Sequence, residues 1–413
     1  MIVQIFEPGA EGHFTYYVGA LLRALSPLLE ARQLSRVVVT TSRNHRRFPA
    51  FQDQLSRYSS VVEFDASLEP IEHPLRASQA AATAVLDAAA RIQPDYLILT
   101  AADHETVGLA LLSALKRRSL PKRIHSVAVI HRGDAVSATP LDRIKDEVFR
   151  LSRQFSPWTD LRIVNPVIYE EMKRRQDRFS APMNALPHPV EPLALCDKPV
   201  ARTALGIPVD GRYIGYIGMI DERKALPELL SAFRAANLAN TDRLLLAGQL
   251  YQPYQDLIER DYADLLRQDR IILINRYITH DEFSLGLCAL DVAAPLYYPR
   301  LALSASLLQA AFLHRPVIAD SYGYSGMIVD RFRLGWSCDV NEPGLLAATI
   351  RTALEKSADF RFGEGLARLI EFHDPKNYTD SVLGALYQRV GLPAPAVKTW
   401  EWATALPEGA RPR

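Results

Sequence analysis

Short apolar runs alternate with longer amphipathic stretches along most of this chain. In the first half, Ile2–Phe6, Arg36–Thr40, Tyr96–Thr100, Ser126–Ile130 and Leu161–Val164 read as strands. Between them, Phe14–Glu30, Ser78–Arg91, Thr106–Lys116 and Pro140–Phe155 repeat apolar residues at helical spacing. Short runs alternating with helices predict a parallel sheet wound with helices on both faces. The Pro-rich stretch Leu186-Pro-His-Pro-Val-Glu-Pro-Leu interrupts the rhythm and reads as a linker. It resumes with strands at Tyr213–Ile217, Leu244–Leu246, Ile271–Ile274, Val292–Ala294 and Pro316–Ala319. Helices are expected near Leu226–Ala235, Tyr254–Leu266, Asp281–Leu287, Ser304–Leu313, Leu345–Lys356 and Tyr378–Val390.

The pattern predicts two doubly wound α/β domains, residues 1–190 and 191–380. Residues 381–413 hold the end of the last helix and, from Gly391, an extended surface tail. A length of 413 residues suits two cores better than one. Ligands of such sheets bind outside the carboxyl ends of the strands. Two of these edges facing each other across a hinge would make a cleft for two substrates.

Charge narrows the partners. The chain has 48 Lys and Arg against 47 Asp and Glu, so nothing draws it to nucleic acid. Residues 1–195 carry 24 basic and 21 acidic side chains, a slight bias that supports peripheral membrane contact at most. Three cysteines, Cys196, Cys288 and Cys338, stand at no metal-ligand spacing, and the start lacks a basic n-region. A cytoplasmic protein is the expectation.

Three segments of the second half carry candidate chemistry. From Gly218 to Phe233 a strand end, a short loop with Lys224 and a helix follow one another. An ammonium beside a positive helix terminus could hold a diphosphate; the alternative is a solvated lysine at a helix start. Ser304-Ala-Ser opens another helix after a strand and loop, again an anion site or an ordinary N-cap. In Arg276-Tyr-Ile-Thr-His-Asp-Glu-Phe, Tyr277 could meet a flat base, or anchor a loop in which Thr279 and Glu282 form a capping box.

In this order the segments resemble the retaining glycosyltransferases of family 4, whose fold is GT-B. The resemblance covers about Arg202–Val340: Arg202–Asp210, Tyr213–Lys224, Leu244–Gly248, Tyr277–Phe283, Leu290–Leu296 and Ser304–Ala319. More loosely, Glu7–Val18 looks like the family's glycine loop and His131 like its pocket histidine. The resemblance implies two Rossmann-like domains facing across a cleft, and transfer of a hexosyl group from a UDP- or GDP-sugar with retention. The acceptor would be a glycan, lipid or small molecule, with neither metal nor cofactor, as in polysaccharide biosynthesis. His131 and Lys224 would be catalytic. Gly12, Arg223, Lys224, Ser304, Ala305 and Ser306 would hold the donor diphosphate, and Gly248, Arg276, Tyr277 and Gln309 the nucleoside. His13 and Asp103 would face the acceptor.

The departures lie in the donor pocket. The family's two glutamates, eight positions apart, fall at Leu301 and Gln309. The arginine after the strand glycine is Met219, with Arg223 nearby, and the glycine after the lysine is Ala225. These changes admit a catalytically silent nucleotide- or sugar-binding relative, and the architecture also admits a nucleotide-sugar 2-epimerase.

Overall fold

The computed structural model describes residues 1–9, 14–47, 49–68, 74–115, 118–131, 147–148, 150–152, 154–174, 181–298 and 304–404. Gly12, His13, Lys116, Leu301 and residues 140–146 lie outside the described residues. The chain divides into two compact units. The first is Met1–Pro189 with Phe372–Trp400, and the second is Val190–Glu371 with the chain from Glu401 onward.

In the first unit the described strands are β1 (Ile2–Glu7), β2 (Arg36–Ser42), β3 (Glu63–Leu68), β4 (Tyr96–Leu99), β5 (His125–Ile130), β6 (Asp160–Ile163) and β7 (Met183–Ala185). They form one parallel sheet ordered β3-β2-β1-β4-β5-β6-β7. In the second unit, β8 (Tyr213–Ile217), β9 (Arg243–Ala247), β10 (Ile271–Ile274), β11 (Val292–Ala293), β12 (Val317–Asp320) and β13 (Gly335–Cys338) are also parallel. Their order is β10-β9-β8-β11-β12-β13. Both units are therefore Rossmann-like. Each sheet reverses its order once, between β1 and β4 and between β8 and β11. Loops leaving the carboxyl ends diverge at that point, and a crevice opens there.

The central strands are covered by helices on both faces, so their residues are almost all buried and read as apolar runs. Among the described edge strands, β10 is the apolar Ile-Ile-Leu-Ile, whereas β3, β7 and β13 are half-buried and mixed, as in Glu-Phe-Asp-Ala-Ser-Leu and Met-Asn-Ala. These three carry no apolar run, which is why periodicity does not reveal them.

One core gathers Val3 and Ile5 of β1 with Tyr17, Leu21 and Leu25 of the helix Phe14–Glu30. The helix Pro375–Arg389 adds Tyr378, Val382 and Leu386 to that same core. Residues 372–400, which the sequence reading divided between the second domain and a separate tail, thus belong to the first unit. Nor does the stretch after Gly391 run wholly on the surface. Trp400 is fully buried, 5.1 Å from the Phe372 ring, and its Nε1 donates to Glu170 Oε1 at 2.6 Å. A buried indole removes enough apolar area from water to hold such a segment down.

The second core joins Ile214 and Tyr216 to Leu226, Leu229, Leu230 and Phe233, the apolar face of the helix Leu226–Ala235. At the amino ends of the strands, the buried Arg202 donates to the carbonyls of Ala289, Val209 and Gly211 and to Asp291 Oδ2 at 2.8 Å. Its guanidinium also stacks 4.2 Å from the centre of the Tyr213 ring. Each nitrogen of that planar fork donates, a role lysine could not fill.

Candidate functional site

The crevice of the second unit opens where β8 ends. Gly218 has φ +115° and Gly248, at the end of β9, has φ +137°. A Cβ on Gly248 would stand 2.0 Å from the Gly218 carbonyl oxygen. The backbone packing of these two strand ends therefore demands glycine at position 248, whatever binds nearby. The following loop is tied down on both sides. Lys224 pairs with Tyr297 in an antiparallel bridge, and Tyr298 N donates to Arg223 O at 3.2 Å. Tyr254 Oη donates to Lys224 O at 2.9 Å. The loop after β8 and the loop after β11 are thus joined across the point where strand order reverses.

The Lys224 side chain is only 5% exposed. Its ammonium lies 3.5 Å from the centre of the Tyr297 ring and 5.2 Å from that of Tyr216. Burial pushes its pKa below the ordinary lysine value, against the opposing pull of Tyr297 and Asp221. Among the described residues no carboxylate stands within ion-pair distance of it. A solvated helix-start lysine is not what the chain contains. Two aromatic faces recover part of the cost of burying this cation, on the order of 0.5–2 kcal/mol each, and an anion would recover more.

The second helix start lies in the same place. Ser304 caps the helix Ala305–Phe312 by accepting from Leu307 N, and its hydroxyl stands 3.1 Å from that of Ser306. Tyr216 feels both Tyr297 and Ser306, and burial followed by Tyr297 raises its pKa well above the ordinary tyrosine value. Tyr216 therefore lies near both the Lys224 ammonium and the amide end at Ser304, Ala305 and Ser306. That end adds a partial positive charge to the lysine's full one. Gln309 sits half-buried in the next turn, beside the buried Leu308 and Ala310.

Other expected residues stand apart from this centre. Arg223 is exposed and engages the carboxylate of Asp221, two residues away. Arg276 is bidentate on Glu282 at 2.6 and 3.0 Å, while Glu282 also accepts from Thr279 N in a complete capping box. These partners, Arg276 first, pull the Glu282 pKa down to about 2. Tyr277 is 74% exposed just beyond β10. At two strand spacings it lies about 10 Å along the same sheet edge from β8.

The crevice of the first unit is acidic. Glu7 ends β1, is fully buried, and accepts from Gly9 N at 2.6 Å and from the Thr100 hydroxyl. Asp103 opens the helix Asp103–Ala114 and accepts from His131 N at 3.3 Å. The His131 ring bonds Thr100 O through Nε2 at 2.7 Å and packs edge-on against Tyr17. Glu105, also buried, has its pKa raised to about 8, chiefly by burial, then by Asp103 and Glu7, against amide bonds from its own helix turn. His131 and Asp103 are thus brought together at the end of β5 and the start of the helix after β4.

No protein-family model matches the chain, and no curated protein does. Solved structures match along nearly its whole length. HepE of Anabaena, crystallised with UDP and glucose, aligns with a TM-score of 0.66 at 15% identity, over 94% of this chain and 100% of that one. The sucrose-phosphate synthase of Thermosynechococcus elongatus gives 0.66 at 15% identity, over 95% and 99%. The lipopolysaccharide outer core galactosyltransferase WaaB, in its apo form, gives 0.61 at 11% identity, over 94% and 99%. The fold is GT-B.

In this GT-B chain the tyrosines around Lys224 are what sequence reasoning missed. Tyr216 stands inside an apolar strand, and Tyr297-Tyr298 directly follow an apolar run. A polar-tipped ring inside a buried strand is the available signal, because its hydroxyl has to find a partner. Tyr298 meets the Glu228 carboxylate at 2.9 Å, at the first turn of the helix after Lys224. No helix among the described residues is long and apolar enough to cross a membrane.

Proposed function

We propose that the chain is a retaining glycosyltransferase of the family 4 type that takes its sugar from a UDP-sugar. One observation carries the reading: a buried lysine with no carboxylate partner, set beside a serine-capped helix start where the strand order reverses. That arrangement lacks only an anion, and a diphosphate has the charge and the oxygens to fill it. HepE, which shares the fold, has been crystallised with UDP and with UDP-glucose, which makes the uridine nucleotide the first donor to try.

In the transfer, the leaving diphosphate gains negative charge as the glycosidic bond breaks. Lys224 Nζ and the amides at Ser304–Ser306 are already in place to meet that charge, so little reorganisation accompanies the step. With this cation and these amide dipoles meeting the charge, the transfer is expected to need no divalent metal. Tyr277, which is exposed, would stack on the base, and Gln309 would meet the ribose. Asp103 is assigned to the acceptor side and His131 to the catalytic centre beside it, because both lie at the carboxyl edge of the first sheet. The neutral side chain at Gln309, where relatives carry a glutamate, favours one second reading: a relative that binds the nucleotide sugar without turning it over.

Calorimetry with UDP on the native chain and on Lys224→Ala tests the donor site. Losing one charge-assisted contact weakens binding by about 1.5–3 kcal/mol, roughly 10- to 150-fold. Equal affinities would remove Lys224 from the site. Incubation with UDP-glucose then separates the readings: released UDP marks transfer or slow hydrolysis, an isomerised donor marks an epimerase, and unchanged donor marks a silent binder.

A further inference from the structure

The second unit holds a cavity of about 400 Å³ at the opposite edge of its sheet, where β11 and β12 begin. Its walls include Lys198, Asp291, Arg315, Ser357, Phe360 and Arg361. All six strands run parallel, so this edge is the far end from the loops that carry Lys224. The cavity belongs to no part of the donor site described above.

Its charge is unbalanced. Asp291 is the carboxylate in the wall, and it is already engaged by Lys198, by Arg202 and by Tyr213 N at 2.8 Å. Among the described residues, neither Arg315 nor Arg361 meets a carboxylate. Arg315 Nη2 donates to Cys288 O at 3.1 Å, while its Nε is buried without a partner. Arg361 reaches only the neighbouring carbonyl of Phe360, at 3.2 Å. The carbonyls at the end of the helix Ala305–Phe312 do not offset this, because the amides of Leu313, His314 and Arg315 close them. A buried guanidinium N–H with no acceptor leaves a hydrogen bond unmade.

Beside the cations stands an aromatic wall. The Phe360 and Phe362 rings meet edge to face at 5.1 Å, Phe362 packs 5.5 Å from the His314 ring, and Phe360 lies 5.0 Å from Trp336. Cations at one side and an apolar face at the other describe a compact amphiphilic anion. The volume is that of a small-ligand site.

We propose that this cavity is a second, distinct binding site for a phosphate ester. Arg315, Arg361 and Lys198 take the phosphate, and the ester's carbon skeleton lies on Phe360 and Phe362. The same chemistry could be delivered by a soluble sugar phosphate or by a phospholipid headgroup.

The full-length chain is titrated calorimetrically with glucose 6-phosphate and, separately, sedimented with phosphatidylcholine vesicles containing phosphatidic acid. Binding of the sugar phosphate is expected to survive Lys224→Ala and to weaken about tenfold or more in Arg361→Gln, the loss of one charged contact. Arg315→Gln should act in the same direction. Arg361 is exposed, so its variant keeps the fold and the test intact if Arg315→Gln fails to fold. Vesicle binding without a calorimetric response, abolished by Arg361→Gln, would identify the headgroup as the source. The proposal is overturned if neither probe binds, if binding is unchanged in Arg361→Gln, or if Lys224→Ala abolishes it.

Discussion

Glu105→Gln should make the protein more stable in mild alkali and leave it nearly unchanged in mild acid. Glu105 is buried in the first turn of the helix Asp103–Ala114, close enough to Asp103 and Glu7 to feel both, and holds its proton up to about pH 8. In the unfolded chain the same carboxyl ionises near its ordinary value of 4.5. Below that value both states are protonated and nothing changes with pH. Between 4.5 and about 8 unfolding releases a proton, so this residue's contribution to stability falls as pH rises, then levels off. The slope is about 1.4 kcal/mol per pH unit, which sets a ceiling of roughly 4–5 kcal/mol across the interval. Glutamine keeps the volume and an acceptor oxygen for the helix amides, with no charge to bury. Half the ceiling, about 2 kcal/mol, would raise the midpoint of a unit of this size by about 4–8 °C at pH 8.5. Thermal melts of both proteins at pH 4.5, 6.5 and 8.5 read the difference directly. A difference that does not grow with pH would refute the argument, because it would mean Glu105 is ionised in the folded state.

Gly248→Ala should destabilise the second unit by about 2 kcal/mol or more, since its Cβ meets a backbone oxygen at 2.0 Å in left-handed backbone. Gly344→Ala, in a helix with open space around the position, should be neutral or stabilise by about 0.4–1 kcal/mol; thermal melts distinguish the two. Gln309→Glu should tighten UDP-sugar binding and Gln309→Leu weaken it, because charge-assisted bonds to ribose hydroxyls are about twice as strong as neutral ones. If Gln309→Glu lowers turnover instead, the pocket has been rebuilt around the amide. Transfer activity should persist in EDTA, and inactivation rescued by manganese would show that Lys224 and the helix start are not what meets the diphosphate.

The sequence by itself determined the elements whose physics is local. Ile2–Phe6, Tyr96–Thr100 and Tyr213–Ile217 are apolar because their strands are covered on both faces, so their composition alone reveals them. The capping box of Thr279 and Glu282 was legible for the same reason, being closed within four residues. Six short segments in order were enough to suggest GT-B. The rest was decided at long range. The edge strands β3, β7 and β13 pair on one side only, and no apolar run marks them. Trp400 belongs to the first unit because it packs on Phe372 and Glu170, which are distant in sequence or across the sheet. In the sequence Lys224 could equally be a solvated lysine; only the fold sets Tyr216 and Tyr297 around it. Its burial comes from loops that follow two different strands and meet only where the strand order reverses.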